Sequence, residues 1–247
     1  MKILFLNAPY KGEVKLFDKT LKYIKKNNIK NVGLYASVQF FNKLDNVLKQ
    51  LDELEINVIS SQPSRTHAKH QILGCDVFHD SLNLTEEQFN SVDVFLYIGD
   101  GNFHPFALLY GQKENEIIKE ILCNDPIAEK FNVVSVNDIK KYLKRHKGAL
   151  MRFLQAKKVG VIISMKTGQE QMNHGLKLED KYTDKEFFYF LDDTISFNQL
   201  ENFPFIEVWV NTACPRIGID DQDKFNKSVI NITDALRAEY VLSKVLI

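Results

Sequence analysis

Apolar runs of strand length alternate with segments of helical period along nearly the whole chain, and this alternation restricts the fold more than any other feature. Strands buried on both faces read as continuous apolar runs, and strands joined through helices lie parallel in one sheet. "KILFLNA" (2–8) reads as a buried strand and "KLFDKTLKYIKKN" (15–27) as an amphipathic helix. "NVGLYAS" (31–37) is the next strand, with "NKLDNVLKQLDEL" (42–54) the helix behind it. "INVISS" (56–61) and "VDVFLYIGD" (92–100) follow as strands, and "IIKEILCND" (117–125) reads as a helix end running into a short strand. A lysine- and arginine-rich helix over 136–157 leads into "KVGVIIS" (158–164), and "EFFYFLDD" (186–193) and "IEVWVNTA" (206–213) are further strands. The predicted class is α/β, with two similar parallel-sheet domains carrying helices on both faces.

A chain of 247 residues makes one large domain or two small ones. The border is expected in or beside the 136–157 helix, giving units 31–150 and 151–247. An internal echo supports two units: "NVGLYASVQ" and "KVGVIISMKTGQ" each open a strand–helix–strand stretch, and each stretch has a cysteine near its far end, Cys75 and Cys214. Residues 1–30 read differently. One strand and one helix precede the first complete unit, like the tail of an earlier domain that is missing here.

Lysine plus arginine (32) balance aspartate plus glutamate (32), so no basic surplus points to nucleic acid, and direct nucleic-acid binding is not expected. The start, "MKILFLNAPYKGE", has too short an apolar run for a signal peptide, and no stretch approaches the length that spans a bilayer. A soluble, cytoplasmic protein without membrane contact is the expectation. Three cysteines, an odd number with no close pair, argue against a disulfide framework and permit metal binding, catalysis or packing.

Four stretches carry possible chemistry. "ILGCDVFHD" (72–80) sets Cys75 between Gly74 and Asp76, either a buried cysteine at a turn or a ligand. His67, His70 and His79 lie near but lack a paired C-x-x-C, so a zinc site is poorly supported. "YIGDGNFHP" (97–105) follows a strand, where open α/β sheets bind ligands, and offers Asp100, Gly101 and His104; an ordinary Asp-Gly turn is the plainer alternative. "SMKTGQEQ" (164–171) brings Lys166, Gly168 and Gln169 to a turn that could hold a carboxylate or phosphate, without P-loop spacing. "CPRIGIDD" (214–221) is the densest: Arg216 would lower the thiol pKa of Cys214 or grip a carboxylate, and Asp220 and Asp221 would orient that arginine or cap a helix. Cys123, in "ILCNDP", reads as core packing.

Taken in order, "LGCD", "YIGDGNFHP", "VGVIISMKTGQ" and "NTACPRIGIDD" resemble the diphthamide synthase family, the 2-(3-amino-3-carboxypropyl)histidine synthases, in their archaeal homodimer type. The resemblance covers residues 1 to 235. It implies three similar α/β domains, each lending one cysteine to a [4Fe–4S] cluster that cleaves S-adenosylmethionine. The 3-amino-3-carboxypropyl radical so released adds to a histidine of translation elongation factor two, the first step of diphthamide biosynthesis. Carried over, Cys75 and Cys214 are the second- and third-domain ligands. Asp100, Gly101, Lys166, Gly168 and Gln169 line the substrate site, with Thr167 at a less settled position. Arg216 and His104 take catalytic roles, and Asn102 stands where the family usually keeps an arginine. The family's first domain, with its own cysteine, has no counterpart. The resemblance therefore implies a separate first-domain polypeptide supplying the third cysteine, in a homo- or hetero-oligomer, with Cys123 the rival ligand. A non-catalytic scaffold that binds the elongation factor or a partner chain is the competing reading, and a metal-free α/β protein binding a nucleotide-like ligand is a third.

Overall fold

The computed structural model describes residues 8–166, 172–219 and 221–245. The expected strand 2–8 therefore lies almost wholly outside the described residues. Contacts divide the chain into two compact units: residues 1–112 with 117–139, and residues 140–247 with the short segment 113–116.

In the first unit the order is α1 (Asp18–Lys26), β1 (Asn31–Ala36), α2 (Asp45–Asp52), β2 (Asn57–Ile59), α3 (His79–Leu82), α4 (Glu86–Ser91), β3 (Val94–Ile98), α5 (Phe103–Tyr110), β4 (Ile121–Asp125) and β5 (Lys130–Val134). α1 has an acid in its first turn and Lys25 and Lys26 in its last, which suits the helix dipole. Asn28, in the left-handed region at φ 51°, turns the chain out of it. Thr85 caps α4 through a reciprocal pair of hydrogen bonds with Gln88 at 3.1 and 3.0 Å. The sheet order is β2-β1-β3-β4-β5. Val32, Leu34, Leu96 and Leu122 pack on Ile24 of α1 and on Val47 and Leu51 of α2. The opposite face carries Tyr35 and Phe95, whose rings meet, and Phe95 also meets Phe89 of α4. Each such fully buried aliphatic side chain contributes about 1.5–3 kcal/mol.

Two features differ from the sequence expectation. β5 pairs antiparallel with β4, so the sheet is parallel only across its first four strands. A tight turn makes this possible: Asp125 accepts hydrogen bonds from the Ile127 and Ala128 amides, and Glu129 adopts φ 50°. The helix end expected at 117–120 is absent, because the Gln112 side chain holds both the amide and the carbonyl of Lys119.

α6 (Val136–Gln155) links the units. The second unit continues with β6 (Lys158–Ser164), α7 (Met172–Lys181), β7 (Glu186–Asp192), α8 (Phe197–Leu200), β8 (Val208–Asn211), β9 (Val229–Asn231), α9 (Ile232–Ala235) and α10 (Ala238–Lys244). Its four strands are all parallel, in the order β7-β6-β8-β9. Val161, Ile163 and Val210 pack on Leu150 and Phe153 of α6, Leu178 of α7 and Val241 of α10. Trp209, on the other face, meets Phe190 edge-on with centroids 5.0 Å apart. Among the described residues no helix is long and apolar enough to cross a membrane.

Candidate functional site

Each sheet reverses its winding once. β1 lies between β2 and β3, and β6 between β7 and β8. Open α/β sheets bind ligands beyond the carboxyl ends of their strands at such switch points.

In the first unit the backbone of residues 70–72 runs beside the end of β1: the Ala36 amide donates to His70 and the Ile72 amide to Ala36. The chain then turns at once, with the Asp76 amide donating to the Leu73 carbonyl at 2.9 Å, and Cys75 stands half-buried in that turn. Asp76 is 1 % exposed and accepts from the Arg65 amide at 2.5 Å; burial, opposed by that bond, raises its pKa. The loop after β3 comes up against the same turn. A Cβ on Gly74 would meet the Phe103 ring at 2.0 Å, so only glycine admits the contact. Within that loop Gly101 takes φ 69°, while Asp100 and Gly101 are exposed. His104 stacks on Tyr97 with centroids 5.8 Å apart, and its Nδ1 lies 3.3 Å from the Tyr97 hydroxyl, which also reaches the Asp100 carbonyl. Burial pushes the Tyr97 hydroxyl well above its ordinary pKa. It therefore stays protonated, and it ties the two ends of the loop together.

The contact between Gly74 and Phe103 makes a direct prediction. Gly74→Ala should destabilise the chain by about 1–3 kcal/mol, since the added methyl has to displace a packed ring. Gly101→Ala meets no atom within 4 Å and carries only the left-handed backbone cost, about 1–2 kcal/mol. Chemical denaturation midpoints with unchanged slopes check both, and a Gly74→Ala midpoint equal to the native one contradicts the contact.

In the second unit Cys214 follows β8, half-buried, and starts a 3-10 turn over Pro215–Gly218. Arg216 is on the exposed side of that turn. Asp221 pairs with Lys224 at 2.7 Å, while Asp220 lies outside the described residues. Lys166 is exposed just past β6, the strand beside β8, and its amide is held by the Ser164 hydroxyl at 3.2 Å. Gly168, Gln169 and Thr167 lie outside the described residues.

Two asparagines that sequence reasoning did not single out support the cysteine loop. Asn211 and Asn231 end adjacent strands, pair in register and are 1 % and 4 % exposed. An asparagine closing a strand is common turn chemistry, so each passes unremarked in sequence. The repeated strand-end position, in "WVN" and "VIN", is the one available signal.

Cys123 lies within β4, 5 % exposed, with its thiol pushed up to about 12 by burial and by Asp125. None of the three cysteines forms a disulfide. Among the described residues no group of three or more His, Cys, Asp or Glu side chains converges as a metal site.

These features define an α/β protein of two units, one sheet wholly parallel and the other parallel across four of its five strands, each with a half-buried thiol in a loop near the carboxyl edge of its sheet. The family model described as "Putative diphthamide synthesis protein" matches residues 1–242, and the chain belongs to that family. The 2-(3-amino-3-carboxypropyl)histidine synthase of Pyrococcus horikoshii is 29 % identical over 191 residues, which cover 74 % of this chain and 51 % of that protein. Subunit 1 of the corresponding synthase from Dictyostelium discoideum is 24 % identical over 237 residues, covering 95 % of this chain and 49 % of the relative. The crystal structure of Dph2 from Pyrococcus horikoshii with a 4Fe-4S cluster shares the fold, with a TM-score of 0.70 and 24 % identity over 91 % of this chain and 60 % of that one. The chain thus spans about half the length of the two curated relatives.

Proposed function

We propose that this chain is a subunit or fragment of a cytoplasmic 2-(3-amino-3-carboxypropyl)histidine synthase. It acts on S-adenosylmethionine and transfers the 3-amino-3-carboxypropyl group to a histidine of translation elongation factor two. The observation that carries this reading is the repeated placement of a half-buried cysteine: Cys75 in the turn beside the end of β1, and Cys214 in the loop after β8.

The donor set fits a share in an iron–sulfur cluster. A cluster ligand has to be deprotonated on binding and have room for the cluster beside its sulfur. Half-buried in loops, Cys75 and Cys214 suit this; Cys123, 5 % exposed in the middle of β4, does not. When bound, the cluster supplies the electron for cleaving the sulfonium. The chain's own residues bind and orient. Arg216, permanently charged and exposed beside Cys214, suits the carboxylate of the substrate's methionine portion. Lys166, past the neighbouring strand, adds a second cation at the same edge of that sheet. In the first unit His104 and the Asp100 carbonyl are held by Tyr97 and present polar groups beside the Cys75 turn.

Two thiolates leave a three-ligand cluster one short; on this reading the third comes from a first domain outside these residues, supplied in the test as a separate polypeptide. Iron and sulfide are to be quantified after anaerobic reconstitution, with and without that partner. The chain alone should hold little cluster, and the pair should load it and release methylthioadenosine from S-adenosylmethionine. A stable, fully active cluster in the isolated chain overturns the need for a partner. No iron in the pair overturns the synthase reading.

A further inference from the structure

The loop that carries Cys214 is held by side chains rather than by regular secondary structure. Asn211, the last residue of β8, donates from Nδ2 to the Cys214 carbonyl at 3.0 Å and to Asn231 Oδ1 at 2.7 Å. Its Oδ1 accepts from the Ala213 amide at 3.1 Å. Asn231, the last residue of β9, donates from Nδ2 to the Pro215 carbonyl at 3.0 Å. Two buried amides thus fix the amide before the cysteine, its own carbonyl and the carbonyl after it. Only a carboxamide meets the demand, since Asn211 has to accept from one backbone group while donating to another. Gly218 closes the arrangement from the far side: a Cβ there would lie 2.3 Å from Asn231 Oδ1.

We infer that Asn211 and Asn231 are positioning residues for Cys214, ordering its loop before any metal arrives so that the thiol waits in one place. The inference rests on the reading of Cys214 as a cluster ligand. Its chemistry, however, is visible in the metal-free chain. Buried carboxamides at two adjacent strand ends supply the loop with rigidity that a proline and a short 3-10 turn do not.

Asn231→Asp tests this, because a carboxylate there faces the Pro215 carbonyl with no proton to donate. The readout is the alkylation rate of each cysteine by iodoacetamide in the full metal-free chain, resolved by peptide mass spectrometry. Cys214 is expected to react about fivefold faster or more, the factor that one lost buried hydrogen bond is worth. Cys75, in the other unit, serves as the internal reference and should stay within about twofold. If Asn231→Asp does not fold, Gly218→Ala dislodges the same amide by contact and takes its place in the experiment. An unchanged Cys214 rate, or equal acceleration at both cysteines, overturns the inference. Iron loading with the first-domain partner is measured separately on the same proteins. A selective change at Cys214 in a chain that never loads iron defeats the ligand reading and leaves the loop support standing. Iron loading with an unchanged rate defeats the positioning pair alone.

Discussion

If Cys214 is a cluster ligand as proposed, then in a Cys214→Ser chain reconstituted anaerobically beside the proposed first-domain polypeptide, iron and the thiolate-to-iron absorbance are expected to fall to the level of a control without sulfide. Cys75→Ser should do the same. A hydroxyl stays protonated at neutral pH and does not replace a thiolate on iron, so on the proposed reading one substitution removes one of three ligands. Cys123→Ser is the contrasting case. Its sulfur lies within β4, 3.8 Å from the Ile121 carbonyl, and serine there should leave iron unaltered while lowering stability modestly. Iron lost on Cys123→Ser, and retained on either of the other two, would reverse the assignment.

The second large effect concerns the core of the second unit. Lys113, Asp234 and His146 are each at most 1 % exposed, with Lys113 Nζ 3.1 Å from Asp234 Oδ1 and His146 Nε2 3.6 Å from Asp234 Oδ2. Burial lowers the His146 pKa to about 4, against the pull of Asp234, so the imidazole is neutral at pH 7 and the contact at 3.6 Å is not then an ion pair. Burial also works to raise the Asp234 pKa, but Lys113, His146 and Arg237 outweigh it and hold the carboxyl below its ordinary value. Asp234→Asn removes the nearer anion and leaves the buried Lys113 ammonium to Glu114, 3.6 Å away. Breaking a buried pair from one side costs about 3–5 kcal/mol, and denaturant titration should register a loss of that order. Lys113→Met with Asp234→Leu should recover most of it, since an apolar pair of similar size has no charge to desolvate.

The same cluster sets a pH dependence. Between about 6.5 and about 4 the unfolded chain binds a proton on His146 that the folded chain refuses, so stability falls as pH drops through that window. Asp234, protonating more readily when unfolded, adds a loss of the same sign at still lower pH. His146→Phe should flatten the upper part of the profile; a curve unchanged by that substitution would contradict the assignment.

How much of this was legible in the sequence varied with how local the cause was. β6 occupies 158–164 as expected, because every residue after Lys158 is buried and the run is unbroken. β5 shows one fully buried residue in five and owes its existence to the Asp125 turn, so its pattern carried no comparable signal. The 117–120 stretch looks helical by spacing, and a side chain from Gln112 decides otherwise. The two cysteine loops stood out because thiols are rare and each follows a glycine or an apolar strand. Asn211 and Asn231 did not, since their pairing depends on the register of strands twenty residues apart. The Lys113 pairing, across more than a hundred residues, has no local trace at all.

The brief detour of residues 113–116 into the second unit bears on how such a gene can be cut and rejoined. A fragment starting at 140 would inherit Asp234 without its ammonium, and one ending at 139 would keep Lys113 with the Glu114 carboxylate, 3.6 Å away, in place of Asp234 at 3.1 Å. The two halves are not interchangeable cassettes. Recombination between relatives at that border would have to exchange a four-residue island along with the distal half, or strand a charge in a core.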